Sequence, residues 1–151
     1  MLIRKATIED LPILLGFEQG IISTERPFDS TLKPDPISYY DLKAFISSSE
    51  VEVLVAEIDG AVAGSGYARI KKNPDSYYDF EKYAYLGCMY VSPAHRGKGI
   101  NQAIIEGLKK WVVEQGLAEI RLEVYNDNTG AIKAYEKIGF EKRMIEMRIR
   151  V

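Results

Sequence analysis

The chain has one cysteine, Cys88, and one histidine, His95, among 151 residues. A lone cysteine excludes an intrachain disulfide framework and fits a reducing compartment. No apolar run approaches the ~18 residues of a membrane span, and the N-terminus lacks a signal-peptide pattern. The cytoplasm is therefore the expected location. Charge of one sign is also scarce, because 20 basic residues nearly balance 22 acidic ones and leave a net charge of −2. That balance gives no electrostatic reason to expect nucleic acid or an anionic membrane as partner. No G-x-x-x-x-G-K-S/T run is present, which excludes a P-loop. A dinucleotide fingerprint would need a third glycine where Gln102 stands.

What is present is a strand, a glycine loop and a helix in direct succession. Apolar Leu86 to Val91 runs through Ser92-Pro93-Ala94-His95 into Arg96-Gly97-Lys98-Gly99. A helical pattern follows, with Ile100, Ile104, Leu108 and Trp111 on one side. Free N–H groups at a helix start, the helix dipole and glycines that admit close approach make an anion site, and Arg96 and Lys98 add charge. The ligand expected there is a phosphate or pyrophosphate.

In chain order, Leu2 to Ala6 reads as a strand. Thr7-Ile8-Glu9-Asp10 caps a helix with Leu11, Leu14, Leu15 and Ile22 as its stripe. Pro27, Pro34 and Pro36 mark a loop over 23–37, and a short helix is predicted over 38–48. Val51–Ile58 and Ala61–Ile70 are strands joined by Asp59-Gly60, a hairpin signal. After a polar loop over 71–79 come a strand over 83–91, a helix over 100–115 closed by Gly116, and a strand over 120–124. A helix over 128–138 closed by Gly139 follows, and 140–151 alternates as a last strand. The order β-α-α-β-β-β-α-β-α-β implies an α+β (mixed α/β) chain: a central mixed β-sheet with helices on both faces.

Two motifs at these positions carry a family resemblance. Arg96-Gly97-Lys98-Gly99-Ile100-Asn101 resembles the coenzyme A loop of the GNAT N-acetyltransferase superfamily: Arg or Gln, two residues, Gly, one residue, then Gly or Ala. Asn101 replaces the small final residue. Asn128 to Phe140 matches in full the superfamily's N-x-x-A-x-x-x-Y-x-x-x-G-F pattern, after a strand reading Leu122-Glu123-Val124. Ile3 to Thr7 and Glu9 to Leu11 resemble its first strand and helix. The resemblance implies one acetyltransferase domain over 1–151, acetyl-CoA as cosubstrate, no metal, and direct transfer to an amine in a ternary complex. It also implies that Arg96, Gly97, Lys98, Gly99, Ile100 and Asn101 hold the pyrophosphate. By the same resemblance the backbone of Met89, Tyr90 and Val91 orients pantetheine and thioester, Asn128 holds the pantetheine arm, and Tyr135 protonates the sulfur. A tyrosine of reference pKa about 10 is protonated at pH 7 and can donate. A homodimer is common in such proteins, and the apolar last strand could pair with a second copy.

The base is less plain. Tyr83 to Val91 contains no carboxylate. Glu123 stands where one branch of the family has an implicated base, and Glu81, Glu25 or water remain alternatives. At pH 7 an alkylamine of pKa near 10.4 is neutral about once in 2,500 molecules, an α-amine near 7.8 about once in seven. A poorly placed base would therefore favour an α-amine. The acceptor region is expected over 21–40 and 71–81. There Arg26 could bind a carboxylate, Glu25 or Asp29 an ammonium, and the pairs Tyr39-Tyr40 and Tyr77-Tyr78 could line a groove. Cys88 has no base beside it in sequence and reads as a small hydrophobe rather than a nucleophile. A non-catalytic acyl-CoA sensing module is the alternative from another class, and intact Asn128 and Tyr135 weigh against it.

Overall fold

Strand β2 (Val51–Ile58) and strand β3 (Ala61–Lys72) form the hairpin at the centre of a five-stranded sheet. Asp59 and Gly60 both turn with positive φ, 51° and 79°, the geometry that matches the twist of paired strands. The computed structural model describes all of residues 1–151. Alternation along β2 sends Val53 and Val55 to one face and Leu54 and Ala56 to the other. Both faces are covered, so β2 reads as a continuous apolar run. The sheet order is β1-β2-β3-β4-β5, with β1 Leu2–Lys5, β4 Lys82–Val91 and β5 Ile120–Arg121. Every pairing is antiparallel except β4 with β5, which is parallel.

Helix α3 (Ile100–Glu114) covers the first face. Its Ile100, Ile104, Ile105, Leu108 and Val112 pack on Leu54, Ala56, Ala68, Ala84 and Leu86. Burying each Ile or Leu there contributes about 1.5–3 kcal/mol. Close approach depends on Gly107, where a Cβ would meet Leu54 Cδ1 at 2.7 Å. The opposite face is covered by α1 (Leu11–Glu25) and α2 (Leu42–Ser47), which bury Leu14, Phe17 and Leu42 against Val53, Val55, Tyr67 and Cys88. The mixed sheet with helices on both faces is therefore as the sequence implied. No helix is long and apolar enough to cross a membrane.

Three boundaries differ from the sequence reading. Helix α1 continues through Glu25, because Pro27 sits in the first turn of a separate 3-10 segment, Arg26–Phe28, where a missing N–H costs nothing. Helix α2 begins at Leu42 rather than near 38. The buried Glu18 carboxylate draws Ser38–Tyr40 away from helix, accepting from Tyr39 N (2.7 Å), Tyr40 N (2.8 Å) and Ser38 Oγ (3.0 Å). The predicted last strand does not form. After α4 (Thr129–Ile138) the chain over 140–151 joins no ladder, and Met144, Ile145, Met147 and Ile149 are exposed. A strand needs a partner, and β5, its natural neighbour, is only two residues long.

Candidate active site

The site originates in a bulge. Ser65 pairs with Tyr90 and Tyr67 with Gly87, so Cys88 and Met89 together oppose Gly66. Cys88 takes a φ of 51°, uncommon for a residue with a Cβ. Ser65 Oγ donates to its carbonyl (3.3 Å), and its N–H donates to Tyr40 Oη (3.4 Å). One extra residue reverses the alternation of β4. Leu86 faces α3, Cys88 faces α1, and beyond the bulge Met89 and Val91 face α3 while Tyr90 faces α1. An isolated glycine in a strand, here Gly87, is the local sign of such a bulge. It also lets Tyr67 cross the strand, since a Cβ there would lie 2.3 Å from the Tyr67 hydroxyl.

The bulge also separates β4 from β5. Only Ala84↔Ile120 and Tyr85↔Arg121 pair, and no strand partner follows on that side of β4. The backbone from Leu86 to Val91 thus has an open edge, at the carboxyl ends of two parallel strands, where ligands of α/β sheets bind. Both strands lead to helix N-termini, β4 to α3 and β5 to α4.

At the α3 end, Gly97 and Gly99 adopt φ of 75° and 77°, with nothing within 4 Å of where a Cβ would stand. Ala103 is the first residue to bond back, to Gly99 O (3.0 Å), so the N–H groups of Ile100, Asn101 and Gln102 are free of helical partners. Arg96 and Lys98 are exposed and join no ion pair, while Arg96 Nε donates to Val91 O (3.2 Å). His95 is spent locally, its Nδ1 lying 2.9 Å from Ser92 Oγ. This cradle suits a phosphate-bearing ligand.

At the α4 end, Asn128 caps the helix. Its Oδ1 accepts from Ala131 N (3.3 Å), which leaves its amide N–H₂ to donate. The half-buried Tyr135 packs against the cluster that also takes Met89, Val91 and Leu122, with Phe140 edge-on at 5.8 Å. Burial, then the charge of Glu25 and the neighbouring Tyr85, push its pKa up to about 12, so it is held as a proton donor. Glu123 is exposed just past β5, near Tyr85. Cys88 is buried, and desolvation pushes its thiol up to about 12.

The acceptor-side residues separate by what they touch. Arg26 donates to Lys33 O (2.9 Å) and pairs with Asp35. Asp29 accepts from Thr31 N (2.9 Å), Tyr125 Oη (3.1 Å) and Arg148 (3.1 Å). Both tie the loop together. Tyr39 and Tyr40 meet edge to face beside the site, whereas Tyr77 and Tyr78 are exposed in the loop between β3 and β4. Glu25, half-buried at the end of α1, is in no ion pair, and burial raises its pKa above the ordinary value. Sequence reasoning gave it a minor place because helical position says nothing about which β-strand a residue overlies.

The acetyltransferase (GNAT) family profile matches residues 20–140. Acetyltransferase SG1711 of Sodalis glossinidius (strain morsitans) is 32% identical over 139 residues, 86% of this chain and 90% of its own. Acetyltransferase ECA0875 of Pectobacterium atrosepticum is 37% identical over 103 residues, 63% of this chain and 67% of its own. Among solved structures, a tetramutant of the BH1408 protein from Bacillus halodurans superposes with a TM-score of 0.88 at 18% identity, covering 100% of both chains. Aminoglycoside N-acetyltransferase AAC(6')-Iy, solved in complex with CoA, gives a TM-score of 0.74 at 20% identity over 99% of this chain and 100% of its own. At these identities the two structures show a common fold.

Proposed function

The chain belongs to the acetyltransferase (GNAT) family and is an N-acetyltransferase, and from that premise we propose that residues 1–151 act as one domain transferring acetyl from acetyl-CoA directly to a primary amine. The carrying observation is the open edge of β4 running into the left-handed glycine loop, with Tyr135 packed at the same cleft. Arg96, Lys98 and the free N–H groups of Ile100 and Asn101 bind the pyrophosphate, and Gly97 and Gly99 give it access. The backbone of Met89, Tyr90 and Val91 aligns the thioester, and the Asn128 amide N–H₂ supports the pantetheine arm. Tyr135 donates the proton that the departing sulfur takes. Two carboxylates, Glu123 and Glu25, border the acceptor side. No acyl-enzyme is formed, because the only thiol is buried and held protonated.

The test is Tyr135→Phe. It is expected to lower kcat by about ten- to a thousand-fold, the span of one acid–base group, with acetyl-CoA affinity within about threefold of wild type. Collapse of that affinity would make Tyr135 a packing residue. Binding of acetyl-CoA by the wild type without thiol release to any amine would favour a sensing module. A cytoplasmic setting belongs to the same reading. So does a homodimer: the apolar, exposed tail over 144–151 and the bare outer edge of β5 are complementary between two copies. Sedimentation equilibrium giving a monomer mass would overturn the dimer.

A further inference from the structure

Glu25 is the charged residue of its loop left without a charged partner, and it stands among tyrosines from four separate parts of the fold. Arg26 is held by Asp35 and the Lys33 carbonyl, and Asp29 by Thr31, Tyr125 and Arg148. Tyr39, set beside Glu25 by the grip of Glu18 on Ser38–Tyr40, has a buried hydroxyl that approaches the carboxylate without closing a hydrogen bond. Tyr40 reaches from the same segment to the bulge at Cys88. Tyr85 comes from β4, Tyr125 from beyond β5, and Tyr135 from α4. The Glu25 charge acts on all five tyrosines and raises the pKa of each. The other charges facing this group are Arg26, Arg69 and Glu123. Arg69 stacks over Phe45 and Tyr85 at 5.8 Å, away from any carboxylate.

A lone carboxylate among aromatic rings suits an ammonium, by charge and by cation–π attraction. It suits an α-amino acid poorly, because Arg26, the cation that would receive a carboxylate there, is already paired. Glu123, exposed beside Tyr85, adds a second negative charge at the mouth, where a further cationic group would sit.

We propose that Glu25 is both anchor and catalytic base for the acceptor, and that the pocket it forms with Tyr39, Tyr85, Tyr125 and Tyr135 takes a primary alkylammonium bearing a second cation and no adjacent carboxylate. The inference rests on the acetyltransferase reading above. An R–NH₃⁺ enters and gives one proton to the Glu25 carboxylate, which passes it to water. The nitrogen lone pair forms the C–N bond to the acetyl carbon, and the C–S bond breaks. The sulfur receives a proton from the Tyr135 hydroxyl, which is restored by the second proton leaving nitrogen. One amide, one thiol and one released proton result. Glu25 is preferred to Glu123 because it is half-buried beside Tyr135, whereas Glu123 is out in water. The chain therefore contains the base that an alkylamine of high pKa requires.

The experiment measures thiol release with saturating acetyl-CoA and three probes: 1,5-diaminopentane, glycinamide and glycine. It uses wild type, Glu25→Gln and Glu123→Gln. Wild type is expected to prefer diaminopentane. Glu25→Gln is expected to lose about 10²–10⁴-fold in kcat/KM on diaminopentane, with acetyl-CoA affinity by calorimetry within about threefold. The loss on glycinamide, whose α-amine has a pKa of about 8, is expected to be at least tenfold smaller, a dependence on acceptor pKa that a merely structural role would not produce. Glu123→Gln is expected to lose less than tenfold. A Glu25→Gln loss under threefold, or equal losses on both amines, would overturn the proposal and leave the acetyltransferase reading standing. A silent wild type would sink that reading instead. Calorimetry of diaminopentane on the CoA-loaded protein then decides the pocket, with binding lost in Glu25→Gln supporting it and no binding in wild type overturning it.

Discussion

Replacing Gly99 by Ala separates the cost of a strained backbone from the cost of a blocked ligand. Gly99 has φ of 77° and nothing within 4 Å of a built Cβ. The methyl group therefore clashes with no protein atom, and the folding penalty is the left-handed conformation alone, about 1–2 kcal/mol. Gly60, in the β2–β3 turn, has φ of 79° and equally open surroundings. Gly60→Ala should therefore cost the same. At roughly 2–4 °C per kcal/mol for a chain of this size, both variants should melt about 2–8 °C below wild type. Only Gly99 borders the free N–H groups of Ile100 and Asn101. A methyl group in that space holds a phosphate off one or two charge-assisted bonds of about 1.5–3 kcal/mol each, so acetyl-CoA should bind about 10- to 1,000-fold more weakly. Calorimetry and thermal melting on both variants form the assay. Unchanged affinity in Gly99→Ala, or an equal fall in both variants, would refute the assignment of the phosphate to this loop.

Two further outcomes follow from burial and charge. Arg4 binds Asp10 through two nitrogens (2.8 and 2.9 Å) and lowers its pKa from 3.8 to about 2. That shift stabilises the fold above pH 4 by about 2 kcal/mol and is lost as the pH falls towards 2. Asp10→Asn should be destabilised by about that amount in urea unfolding at pH 7, with the gap closing below pH 4; a constant gap would point to packing. Cys88, buried with its thiol at about 12, should resist iodoacetamide at pH 8 in the native state and take one adduct in urea, read by mass spectrometry. Native alkylation would reopen a nucleophilic role.

Features whose cause is local are legible in the residues themselves. Asp59-Gly60, Gly99, Asn128 and Gly139 each act through their own φ or through a hydrogen bond within three or four residues. The alternating strands and the α3 stripe are periodic for the same short-range reason. Placement of Glu25 is not legible in that way, nor is the bulge at Cys88, whose partners Ser65 and Tyr40 lie 23 and 48 residues away in sequence.

The tail makes the division plain. Residues 140–151 alternate as a strand would, yet a ladder needs an edge, and β5 ends after two residues where the bulge turns β4 away. By itself the sequence determined the family, the order of elements through α4, and the anion-binding loop, because these are written in residue types at short spacing. Only the tertiary structure decided which carboxylate meets the acid Tyr135, because that depends on α1 crossing β4 and on a buried Glu18 drawing a distant segment over it.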